Sequence, residues 1–235
     1  MNPAMELLRV AANGPSALDT FLQTHELTPQ LATGVRELFV RFVETDQFDN
    51  AEFAASVLST LWLKLGNFHE VVRNLLDFLQ LRFKLAESAG EYAEVRTRTL
   101  DALRKAAELP DDEFAFRSAV LAADASFFGY LAGGQAFGLD ATRVLADLVA
   151  ATHRVKRATT STWLPRFVSL LAGALQEFLS ESLPAEQQVQ ADRSFRELAG
   201  GIPTLFPTIS HFPDAPAKAA QVDALFKSFA DKYIR

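Results

Sequence analysis

The chain has 235 residues, 49% of them apolar, and carries a net charge of −6 without a single cysteine. Such a length suffices for a sizeable core, in one elongated domain or one and a half compact ones, and the missing thiols exclude cysteine nucleophiles, thiolate metal sites and redox switches. The acid excess and a pI near 5.3 argue against broad nucleic-acid binding, which draws on surplus Lys and Arg.

The opening MNPAMELLRVAANGPSALD lacks the basic start, apolar run and small-residue cleavage pattern of a secretory signal. No stretch reaches the roughly 18 uninterrupted apolar residues of a membrane span. The expectation is a soluble cytoplasmic protein with no membrane role. Thr28-Pro29 pairs a capping hydroxyl with a first-turn proline, and the apolar pattern then runs through Leu31, Val35, Leu38, Phe39 and Phe42. DQFDN (Asp46 to Asn50) ends that helix. Asn50 or Asp49 caps the next, through Phe53, Val57, Leu58 and Leu61 to Leu65, and Gly66-Asn67 makes a turn.

Phe68, Val71, Val72, Leu75, Leu76, Leu79 and Phe83 recur at steps of three and four, which gathers them on one side of a helix. Phe78 and Leu81 widen the stripe. The spacing predicts that this helix reaches about Ala89 and breaks at Gly90, with another over 91–109 stopping before Pro110. DDEFAF starts a helix to Ala132, GGQAFG is the loop after it, and Asp140 caps a helix to about Arg157. One more helix starts near Trp163 and Pro165 and ends before Pro184, and another spans 185–199. From Gly200 to Pro216 four prolines interrupt the period, and a last helix covers 218–233. No segment shows strand alternation or hairpin turns.

The fold class expected is therefore all-α: antiparallel helical hairpins stacked as a short α-solenoid, or a large helical bundle. In domain terms, 1–199 reads as the helical domain, 200–216 as a Pro-rich connecting segment, and 217–235 as a C-terminal helix packed on the same domain.

LKLGNFHEVVRNLLDFL, a helix ending in Leu65-Gly66 and an aromatic opening a second helix, resembles the middle of a tetratricopeptide repeat. The resemblance implies that Leu65-Gly66 packs closely, that Phe68 wedges between the two helices, and that Val71 takes the small-residue position. Gly90, Tyr92 and Val95 echo the pattern, but Gly66 and Gly90 lie 24 positions apart against a repeat period of about 34. The likeness covers about residues 53–107 and concerns hairpin stacking. The helical arms of PCI-domain subunits look similar at this level, although the C-terminus here shows no winged-helix strands.

Chemistry-bearing motifs are few. His25, His69, His153 and His211 fall in four different segments with no pair spaced for one helix face, so no metal is expected. No Gly-x-Ser-x-Gly elbow occurs. The acids of PDDEF (Pro110 to Phe114) suit a helix start better than an ion site. FFGYLAGGQAFG resembles the glycine-rich distal helix of haem oxygenases through Gly129, Gly133 and Gly134, which implies a haem face there and His25 as proximal ligand. His25 instead precedes a helix start, and Phe127, Phe128 and Tyr130 replace the family's polar flanks.

The basic cluster HRVKRATTSTWLPR offers Arg154, Lys156, Arg157 and Arg166 to a phosphate, a carboxylate or an acidic helix, with Trp163 as anchor. The competing account is cations placed at a helix C-terminus by its dipole. Leu205, Phe206, Ile209 and Phe212 make 200–216 too apolar for a free linker, so this segment docks either on its own helices or on another subunit. The leading expectation is a scaffold or adaptor that is not an enzyme, needs no cofactor, and binds a protein or peptide partner through Arg154, Lys156, Arg157, Trp163, Arg166, Phe206 and Phe212, with homo-oligomerisation a further option. The alternative is an all-α enzyme or cofactor binder of haem oxygenase-like type.

Overall fold

The structure, a computed structural model, describes residues 2–106, 112–155, 158, 161–180, 183–209 and 215–233, with 106, 202–209, 215 and 216 described in their backbone only. Among the described residues the chain is all-α: eleven α-helices, one 3-10 turn and no strand. They form two compact units, Met1–Leu81 and Arg82–Arg235. None of the described helices is long and apolar enough to cross a membrane.

The first unit contains α1 (Pro3–Ala11), α2 (Pro15–Thr24), α3 (Pro29–Glu44), α4 (Phe48–Lys64) and most of α5 (Phe68–Leu85). The first three helices each begin with proline, whose fixed φ suits a first turn and whose missing N–H would have no helical partner there. Asn2 caps α1 by accepting from the Ala4 amide at 2.9 Å, and Thr28 caps α3 by accepting from Leu31 at 3.2 Å, each worth about 1 kcal/mol. Leu7, Val35, Leu38, Leu58, Leu61, Leu76 and Leu79 are buried at the expected helical spacing. Across α4 and α5 the buried Asn74 amide donates to the Ala55 carbonyl at 2.8 Å and to Ser59 Oγ at 2.6 Å. Arg36 of α3 reaches Asp77 of α5 at 2.8 Å and Glu70 at 3.3 Å.

Gly66 turns the chain between α4 and α5 with φ +70°, a conformation that glycine adopts without a Cβ penalty. A Cβ there would meet nothing within 4 Å, so the residue serves the turn and not a close helix contact. Phe68 is 60% exposed and Val71 only half-buried. Phe68 therefore does not wedge between helices, and the buried stripe of α5 narrows to Val72, Leu76, Leu79 and Leu81. The start of α4 also differs from expectation: Gln47 is the N-cap, without a side-chain capping bond, and Asn50 donates to its side chain at 3.0 Å.

The second unit contains α6 (Ala89–Ala106), α7 (Asp112–Leu131), a 3-10 turn (Gly134–Phe137), α8 (Ala141–Thr152), α9 (Leu164–Ser180), α10 (Ala185–Ile209) and α11 (Ala215–Tyr233). Helix α7 is its centre, buried without interruption from Ser118 to Phe127. Its sequence is apolar or small on every side, which is the pattern of a helix covered all round. Its Phe116 shares a core with Leu145, Leu148, Phe167, Leu171, Leu175 and Phe178, and Phe195, Phe226 and Phe229 continue the same core. The Phe195 and Phe229 rings stack at 4.6 Å, and the Tyr233 hydroxyl donates to the Phe178 carbonyl at 2.6 Å.

Two expected boundaries move. Helix α5 stops at Leu85, and Gly90 lies in the first turn of α6. The reason is a capping box: Ser88 Oγ accepts from the Glu91 amide at 3.4 Å while the Glu91 carboxylate accepts from the Ser88 amide at 3.0 Å and its hydroxyl at 2.8 Å. The Glu87 amide, donating to the same carboxylate at 3.0 Å, and the two Ser88 bonds together hold Glu91 below its ordinary value. The second correction concerns 200–216, expected to be a connecting segment. Helix α10 runs through Gly200, Gly201, Pro203 and Pro207 to Ile209, and α11 already begins at Ala215. The two prolines are four positions apart, so the amides they remove lie on one side of the helix and the ladder on its other sides can persist. A Cβ at Gly201 would stand 2.3 Å from Thr152 Cγ2; this glycine lets α10 approach α8 instead of ending a helix. Helix α8 itself ends at Thr152, five residues before the expected Arg157.

Candidate functional site

Helix α7 carries Arg117, Asp124, Phe128 and Leu131 at steps of seven, four and three, one face of a helix. Asp124 is the buried acid of that face, its side chain only 5% exposed. It pairs with Arg166, which the first turn of α9 delivers and which is 30% exposed. Burial pushes the Asp124 carboxyl up to about 6, against the downward pull of the Arg166 charge and hydrogen bond. The Arg166 guanidinium also lies over two rings, 4.8 Å from the Trp163 centroid and 5.3 Å from that of Phe83. Arg117 also sits 5.1 Å from the centroid of the Trp163 ring. Cations and aromatic faces thus alternate, each contact drawing on the ring quadrupole.

A second ion pair lies between α6 and α8. Arg96 donates to Asp147 twice, from Nε at 2.6 Å and from Nη2 at 2.9 Å. Ser126 of α7 donates its hydroxyl to the same carboxylate and accepts from Arg96 Nε at 2.9 Å. This is a saturated arrangement with a planar fork on a carboxylate. It joins three helices.

Towards the end of α7 the same face becomes aromatic. The Phe83 ring is 5.4 Å from Phe128 and 5.7 Å from Tyr92, and Tyr92 is 6.1 Å from Phe128. Gly133 and Gly138, with φ +78° and +71°, bracket the 3-10 turn and carry Phe137 back over the first turn of α6, its ring 3.5 Å from where a Gly90 Cβ would be. Phe128, Leu131 and Phe137 are nonetheless 41%, 48% and 58% exposed.

No protein-family model, curated protein or solved structure matches the chain. The geometry alone therefore assigns roles to the residues singled out in the sequence. Arg154 donates from Nη1 to the Ala150 carbonyl at 2.6 Å, which is the helix-terminus role of a cation. Trp163 and Arg166 come together as described, with the Arg166 charge directed at Asp124. Lys156, Arg157, Phe212 and His211 lie outside the described residues, and Phe206 is described only as part of the α10 backbone.

The glycines proposed to face haem are occupied by protein. A Cβ at Gly129 would be 2.2 Å from Leu139 Cδ1 and 3.1 Å from Tyr92 Cβ; one at Gly134 would be 2.5 Å from the Gly129 carbonyl oxygen. Their missing side chains admit Leu139 and the 3-10 turn, not a porphyrin, while Gly133 serves the turn. His25 is exposed, with its ring stacked on Phe21 at 3.9 Å. Glu113 of the acidic start accepts from Ser161 at 2.9 Å. No group of three or more metal-ligating side chains occurs among the described residues.

Sequence reasoning missed Asp124, the Arg96–Ser126–Asp147 cluster and Phe137. One signal was present: Asp124 is the sole charge in AVLAADASFFGYL, and a lone acid inside an apolar helix needs a partner.

Proposed function

We propose that the chain is a non-enzymatic α-helical adaptor that binds another polypeptide through the aromatic corner where α7, the 3-10 turn and the start of α6 meet. The observation that carries this reading is the exposure of Phe128, Leu131 and Phe137 together at that corner. Large apolar side chains gathered at one place mark contact sites, and covering each one contributes about 1.5–3 kcal/mol. The backbone around them is fixed by packed glycines and two helices, so little ordering cost falls on binding. Leu63 and Phe68, exposed beside the Gly66 turn, repeat the arrangement in the first unit. The reading includes tetratricopeptide-like stacking of hairpins and a cytoplasmic setting.

The test is affinity capture from source cells with the full chain and with its Phe128→Ser/Phe137→Ser variant, checked for unchanged far-UV circular dichroism. The reading expects a polypeptide, either a different protein or untagged copies of this chain, held by the wild type and lost with the variant. Equal capture by both proteins refutes it.

A further inference from the structure

The two buried carboxylates of the second unit are solvated differently. Asp147 receives three donors, two from Arg96 and one from Ser126. Asp124 receives one among the described residues, from Arg166 Nε, although it is the more buried of the two. A carboxylate removed from water and given a single donor is poorly compensated. Its partner, by contrast, has other attachments: two aromatic faces and partial access to solvent.

We propose that Asp124 and Arg166 form a proton-operated latch, in which a proton taken up by Asp124 frees the Arg166 guanidinium and loosens Trp163 and the first turn of α9 from α7. The proton comes from solvent and resides on the carboxyl; no covalent bond of the chain changes. The charged groups around the pair leave Arg166 as its electrostatic partner. From α9 that is Arg166 itself. On α7, Arg117 stands two turns away over Trp163, and Glu113 holds Ser161. Arg96 of α6 and Asp147 of α8 are engaged with each other, and Arg82 and Lys84 flank Phe83 on α5. The upward displacement of Asp124 to about 6 puts the event in mildly acidic solution. Loss of the charge also removes the burial penalty, so the second unit gains global stability while this contact weakens. The latch does not depend on the adaptor reading.

The chain has two tryptophans, so Trp62→Phe leaves Trp163 as the sole indole. Its emission and acrylamide quenching are followed from about pH 7.5 to about pH 5. The latch predicts one transition with its midpoint near 6, at constant far-UV circular dichroism, with Trp163 more accessible on the acid side. Asp124→Asn gives the acid-side signal throughout. A transition that survives in that variant arises from another group and overturns the proposal, as does a flat titration with Asp124 and Arg166 intact.

Discussion

Acidifying the wild-type protein and replacing Asp124 by Asn remove the same charge from the interior of α7 by two routes. The folded protein holds the Asp124 proton to about 6, whereas the ordinary value is 3.8, so between those values the folded state binds more protons than the unfolded one. Stability then falls as pH rises through this window: the penalty is absent below the unfolded value and complete above about 6. At about 1.4 kcal/mol per pH unit, the complete penalty is about 3 kcal/mol, of which about 1 kcal/mol is relieved between about pH 7.5 and about pH 5. The side chain is almost wholly buried, so solvent screening does not reduce the figure. Urea unfolding of the second unit, followed by Trp163 in the Trp62→Phe protein, gives the change in unfolding free energy between the two pH values. The gain on acidification exceeds that of the Asp124→Asn protein by about 1 kcal/mol, because titrations elsewhere cancel in the comparison. An equal response from the two proteins, or a loss specific to the wild type, refutes the claim that burial outweighs Arg166 at this carboxylate.

Three further outcomes follow from packing and hydrogen bonding. Asp147→Ala leaves the largely covered Arg96 guanidinium, 15% exposed, without its carboxylate and costs about 3–5 kcal/mol in urea unfolding, whereas the triple change Arg96→Met/Ser126→Ala/Asp147→Leu costs much less. Gly134→Ala drives a Cβ against the Gly129 carbonyl oxygen and Leu139 Cβ, at 2.5 and 2.9 Å, and lowers stability by about 1–3 kcal/mol; a melting temperature equal to the wild type's contradicts the tight turn. Trp62 is buried with its indole N–H lacking an acceptor among the described residues. Trp62→Phe thus removes an unmet donor together with some packing, and its cost stays below the about 3–5 kcal/mol of an aromatic deletion to Ala.

The parts of the fold legible in the sequence are those fixed by neighbours along the chain. Thr28 and Asp140 cap the helices their side chains announce, Asp140 accepting from the Arg143 amide at 2.9 Å. The all-helical class follows from periodicity that tertiary packing did not override. Gly200, Gly201, Pro203 and Pro207 do not break α10, and the meaning of Gly201 and Gly129 lies in contacts distant in sequence: Gly201 admits Thr152 and Gly129 admits Leu139. Gly90 lies inside α6 because the four-residue Ser-x-x-Glu box from Ser88 to Glu91 outweighs one glycine. Phe68 carried a family pattern but not its packing. Of the candidate site, Trp163 and Arg166 were visible as a basic-aromatic cluster, yet the acid that neutralises Arg166 lies 42 positions away, and no periodicity encodes that pairing.

Whether another polypeptide binds at the corner around Phe137 is read out by site-specific photocrosslinking of the full chain in source cells. Benzoylphenylalanine is placed at Phe137 or, as a control, at the exposed Arg98 on α6. A partner docked at this corner gives a discrete polypeptide adduct from position 137 that is absent from position 98. No polypeptide adduct at 137, or the same adducts from both positions, would contradict it.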